Sequence, residues 1–154
     1  MPASEALLYV ATLAAAFGAA LVGGVFLAFS DFVMRALGRI APEAGVAAMN
    51  EINVTVLRSW FLRTFFLTAL LSVAFIGIAL ARWQMPGSYF LLMGGALYLL
   101  GSVVVTMACN VPRNNALARK GGEAWADYLV TWTRWNHVRT AASFAAAVLF
   151  ALAL

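Results

Sequence analysis

Four long apolar stretches leave this chain little choice of architecture. They run over residues 7–29, 61–81, 89–109 and 140–154. A helix needs ~20 mainly apolar residues to cross the ~30 Å hydrocarbon layer of a bilayer. Only 10% of the residues are charged, against about 25% in an ordinary soluble domain, so a water-facing shell over such a core is out of reach. The expectation is an all-α bundle of four transmembrane helices, forming a single integral membrane domain over residues 1–154.

The basic residues indicate how the bundle sits. Arg35, Arg39, Arg58 and Arg63 flank the first connection, and Arg113, Arg119, Lys120, Arg134 and Arg139 flank the third, whereas only Arg82 flanks the second. Cytoplasmic segments are enriched in Lys and Arg. Connections one and three are therefore expected in the cytoplasm and both termini outside, with a bacterial inner membrane as the expected location. No basic residue precedes Leu7, the reverse of the order in a cleavable signal peptide, so the first stretch is expected to be retained. The net charge of +4 reports topology, since no soluble basic domain exists on which to read phosphates, and nucleic acid is not an expected partner. A single cysteine, Cys109, rules out an intrachain disulfide.

No proline interrupts residues 44–81, which predicts a second helix beginning near Pro42 and continuing unbroken into the second stretch. Residues 123–154 contain neither Gly nor Pro, which predicts one long final helix. Gln84-Met85-Pro86-Gly87 reads as a tight outer turn, and Gly121-Gly122 as the break before the last helix. Asn110-Val111-Pro112 is expected to end the third helix, because proline disfavours helical geometry in the residue before it. Gly18, Ala19 and Gly24 match Gly95, Ala96 and Gly101 at an offset of 77 residues, and Arg63-Thr64 matches Arg139-Thr140 at 76. These matches suggest two parallel helix-hairpin repeats. The glycines suit close helix approach in lipid, and Gly/Ala faces left over would support a homo-oligomer.

Most side chains able to bind or react lie on the cytoplasmic half: Ser30, Asn50, Asn53, Thr106, Asn110, Asn114, Asn136, His137 and Arg139. Polarity at membrane depth turns inward, so a cytoplasmic-side pocket is expected; the plainer alternative is an interfacial layer wetted by headgroups. At 100° per residue, Asn50, Asn53, Thr64, Thr68 and Ser72 share one helical face, and Trp132, Asn136, Arg139 and Ser143 another, with His137 at its margin. His137 is the sole histidine and the candidate general base, read alternatively as an interfacial histidine bonded between helices. Trp132 is either a pocket wall for a flat aromatic ligand or part of an interfacial belt. One His, one Cys and scattered Met make no recognisable metal set, and no cofactor motif appears. No cofactor is therefore predicted, although haem on His137 or a bound quinone stays compatible with the sequence.

Phe29-Ser30-Asp31-Phe32-Val33-Met34, Met49-Asn50-Glu51-Ile52-Asn53, Thr106 with Asn110-Val111-Pro112-Arg113-Asn114, and Trp132 to Thr140 together resemble the anthrone oxygenase-like family, nearly end to end. The resemblance implies a four-helix membrane protein that oxidises a hydrophobic aromatic substrate, anthrone- or quinol-like, with O2. Deprotonating an acidic ring carbon gives an enolate that reacts with oxygen directly, so the protein would supply a base and an oxyanion clamp. On these residues the catalytic candidates are His137, Arg139 and Asn136, and the substrate-binding candidates are Asn50, Asn53, Asn110, Asn114, Trp132 and Ser30. The expected partners are membrane lipid and a hydrophobic small molecule. The competing reading is a non-enzymatic membrane protein, either a lipid or quinone binder or a helper subunit.

Overall fold

The computed structural model describes residues 2–154. Its helices are α1 (Ala3–Leu37), α2 (Pro42–Thr55), α3 (Trp60–Ala81), α4 (Ser88–Lys120) and α5 (Gly122–Leu152), and no strand occurs among the described residues. The long helices α1, α3, α4 and α5 alternate in direction and close into a ring, each packed against two others. The short α2 lies across one end. Of these, α1, α3 and α4 are long and apolar enough to cross a membrane, and the protein is a membrane protein with an all-α bundle fold. Helix α5 is as long as they are, at 31 residues, but only its second half is apolar.

Small residues set the spacing at the end that carries the termini. A Cβ added at Gly95 would lie 2.8 Å from the Ser72 carbonyl oxygen, and one at Gly94 would lie 2.9 Å from the Phe150 ring. α3 therefore approaches α4 to backbone contact, and Gly94 leaves room for the Phe150 ring of α5. The α3–α4 turn is closed by Gly87 at φ +81, a conformation open to glycine without strain, and Ser88 Oγ donates to the Arg82 carbonyl at 2.8 Å.

Two expectations about helix ends are corrected. The second helix does not run unbroken into the second apolar stretch. A 3-10 turn over Val56–Arg58 leads to Ser59, whose backbone is extended (φ −82, ψ 157) and whose hydroxyl accepts from the Leu62 N–H. Val54-Thr55-Val56 is a β-branched run of weak helix formers, and a serine that caps the next helix competes well there. The third helix does not stop at Pro112 but continues to Lys120. Proline offers no N–H to the carbonyl four residues back and its ring crowds it. The widened π-helical turn over Thr106–Asn110 absorbs that defect. Arg113 Nη1 donates to the Cys109 carbonyl at 2.6 Å. Helix α1 also carries a π-turn, over Phe29–Val33, and runs past the expected end of the first stretch.

Buried apolar side chains form two separate clusters. One, around Ala15, Ala19, Val22, Phe75, Leu91 and Phe150, fills the termini end. The other joins Met34, Met49, Leu117, Trp125, Tyr128 and Trp132 under α2. The polar residues lie between them.

Candidate functional site

Asn136 and Arg139 stand three residues apart on α5, so both project from one face, one turn beyond Trp132. Asn136 is fully buried. Its Nδ2 donates to the Phe26 carbonyl and to Ser30 Oγ, each at 2.6 Å, fastening α5 to α1 beside the π-turn. Its Oδ1 accepts from Arg139 Nη2 at 2.5 Å. Arg139 Nη1 donates to Thr106 Oγ1 on α4 at 3.2 Å, and Thr106 in turn donates to the Ser102 carbonyl at 2.7 Å. The guanidinium lies 4.1 Å from the Phe26 ring centre and 5.1 Å from that of Trp132, both within cation–π range. Arg139 is only 5% exposed, yet its hydrogen bonds reach neutral groups alone. A buried charge without a counter-charge is costly, and such a site favours an anion.

Arg139 borders a cavity of about 580 Å³, within the size range of small-molecule sites. Phe26 and Phe29 of α1, Phe61 and Phe65 of α3, and Trp132 of α5 form aromatic walls; α2 supplies Met49, Glu51, Ile52 and Asn53, and α4 supplies Thr106, Asn114 and Asn115. Among the described residues, five buried side-chain atoms have no hydrogen-bond partner: Asn53 Nδ2, Trp132 Nε1, Arg139 Nε, Asn110 Oδ1 and Thr133 Oγ1. The first three belong to residues that line the cavity, and all three are N–H donors. Leaving a buried donor unmet costs about 1–3 kcal/mol each. The arrangement therefore suits a flat apolar ligand that carries oxygen acceptors and negative charge.

The expected site residues divide into four groups. Asn53, Asn114, Trp132 and Arg139 line the cavity. Ser30 and Asn136 lie behind it and hold Arg139 in place. Asn110 is buried and donates to the Trp132 carbonyl at 3.2 Å, so it supports the wall rather than the ligand. Asn50 is half-buried on α2 and is not part of the lining. His137 is exposed and also stands apart from the lining, since two residues from Arg139 is a 200° turn around the helix. Asn114 Oδ1 accepts from the Tyr128 hydroxyl at 2.9 Å, and Tyr128 stacks between Trp125 and Trp132 at 5.9 Å from each. Burial raises the Tyr128 hydroxyl well above its ordinary pKa, which keeps it a neutral donor. The four phenylalanine walls and Glu51 were not among the expected site residues. Phe26–Phe29 and Phe61–Phe65, at three- and four-residue spacing, carried a signal, but on spanning helices it is indistinguishable from lipid-facing pattern. Among the described residues no cluster of three or more His, Cys, Asp or Glu could hold a metal ion.

A family model described as anthrone oxygenase matches residues 55–149. The match contains Thr106, Asn114, Trp132 and Arg139, while Phe26, Ser30 and Asn53 lie before it. No curated protein and no solved structure matches the chain.

Proposed function

Given that the chain belongs to the anthrone oxygenase family, we propose that it is a membrane-embedded oxygenase acting on a flat, hydrophobic aromatic ketone or quinol in the Arg139 cavity, by base-assisted reaction with O2. The observation that carries this reading is the buried, uncompensated Arg139 set among aromatic walls, with unmet N–H donors on Asn53 and Trp132.

For an anthrone the chemistry balances with oxygen as the sole co-substrate. A methylene C–H bond of the central ring breaks, and the electron pair delocalises onto the ketone oxygen. The resulting enolate carbon bonds to O2, and loss of water from the hydroperoxide leaves a second ketone. The net change is anthrone plus O2 to anthraquinone plus water. Negative charge grows on the oxygen as the proton leaves, so a fixed cation there binds the enolate more tightly than the ketone and accelerates the step. Asn136 and Thr106 keep the guanidinium at that point without competing charge. The aromatic walls hold the rings.

In this reading all four long helices cross the bilayer, the termini lie outside, and the cavity opens in the cytoplasmic half, next to the arginine-rich connections. The apolar substrate arrives from the lipid. Purified protein in detergent, given anthrone in an oxygen electrode, should consume one O2 per anthrone and release anthraquinone faster than buffer does. Oxidation no faster than in buffer would refute the oxygenase reading. The same donors would hold the carbonyls of a quinone, and tight quinone binding without turnover would identify a quinone-binding helper instead.

A further inference from the structure

We propose that Glu51 is the base that takes the substrate proton, an assignment that rests on the oxygenase reading above. The chemistry needs a proton acceptor inside the cavity, and His137 stands outside the lining. Among the described residues that line it, Glu51 is the sole carboxylate and Arg139 the sole cation. The remaining lining side chains are neutral and do not accept a proton near neutral pH.

Glu51 is held in position by its helix. α2 is docked by Met49, which is 1% exposed, and by Gly45, which lies so close to the Trp125 ring that a Cβ there would overlap it. One turn on, Thr55 Oγ1 donates to Glu51 Oε1 at 3.1 Å. That bond engages one carboxylate oxygen and leaves the second to take the proton. Depth also separates the two charges: Arg139 is buried, whereas Glu51 is exposed at the mouth. In an anthrone the ketone oxygen and the reacting methylene lie on opposite edges of the central ring. A buried clamp and an exposed base on one lining suit that arrangement, and the exposure of Glu51 gives the proton a route to water.

In the reaction, the C–H bond breaks, its proton passes to the Glu51 carboxylate, and the electron pair moves toward the oxygen facing Arg139. Oxygen adds to the carbon, and Glu51 returns the proton to the peroxide. As the O–O bond breaks, Glu51 removes the second hydrogen of that carbon and yields it to the departing hydroxide as water.

The test uses the full-length protein in detergent with anthrone as probe, wild type against Glu51→Gln and Glu51→Asp. Without oxygen, wild-type protein should develop the absorbance of the anthrone enolate, and Glu51→Gln should bind anthrone without developing it. With oxygen, Glu51→Gln should lose on the order of 100-fold or more in kcat, the usual contribution of a positioned base, with KM little changed. Glu51→Asp should restore part of the rate. Anthraquinone binding and thermal unfolding matched to wild type show that the Gln variant is folded. Enolate formation and turnover at wild-type rates in folded Glu51→Gln would overturn the assignment and leave the oxygenase reading standing. Failure of wild-type protein to oxidise anthrone would overturn both.

Discussion

The two ends of this bundle solve opposite problems with the same helices. At the termini end, Gly95 lets α4 meet the backbone of α3 and Gly94 seats the Phe150 ring of α5, while alanines and Phe75 fill the remaining space. At the other end, phenylalanines and Trp132 hold the helices apart around a cavity of about 580 Å³. α1 leaves regular geometry there in a π-turn at Phe29–Val33, and α4 does so from mid-bundle onward, at Tyr98–Val104 and Thr106–Asn110. The closely packed end provides stability. The other end accepts a buried arginine, three unmet donors and irregular backbone, a concentration of local cost characteristic of functional sites.

If that division holds, substitutions at the two ends should separate activity from stability. The largest effect is expected from Arg139→Met. Losing the single cation at the oxyanion should cost on the order of 10²–10³ in kcat, comparable to removing an oxyanion-hole donor. Its thermal stability in detergent should be equal or higher, because an apolar replacement relieves an unpaired buried charge. A stability loss with activity intact would reverse the functional assignment of this end. Next comes Asn136→Leu, which strands Ser30 and the Phe26 carbonyl and releases Arg139 Nη2. It should cost about 1–3 kcal/mol in unfolding experiments and also raise KM, since the clamp loses its anchor. Gly95→Ala, at the other end, should destabilise by about 1–3 kcal/mol through overpacking against Ser72, with kcat per folded molecule unchanged. Smallest of all is His137→Gln. An exposed side chain outside the lining should leave stability within about 0.5 kcal/mol and turnover unaffected. A large loss of turnover there would restore His137 as the base and contradict the geometry.

The same contrast explains what was legible in the amino-acid sequence. The long apolar runs of α1, α3 and α4 announce themselves by length, and the glycines by their small size in an apolar context. The triad Trp132, Asn136, Arg139 was readable because helical periodicity alone fixes a shared face. The break at Ser59 was not, because a serine cap and a β-branched run are weak local signals that matter only once α2 has a surface to dock on. Pro112 misled for the converse reason: the helix widens over Thr106–Asn110 and continues through it, which the rule for the residue before proline does not foresee. The cavity walls were hidden by chemistry, since phenylalanines facing a cavity and phenylalanines facing lipid look alike. Glu51 stood inside the Met49-Asn50-Glu51-Ile52-Asn53 segment with no spacing signal of its own, and His137 drew notice through its residue type although its side chain is exposed.

If aromatic oxidation takes place against Arg139, the product should be caught there in an experimental structure of the protein with bound anthraquinone. The ring system should lie between the phenylalanine walls and Trp132, with a ketone oxygen about 2.7–3.2 Å from an Arg139 nitrogen. Anthraquinone bound elsewhere, with a lipid chain filling this cavity, would rule out oxidation at Arg139.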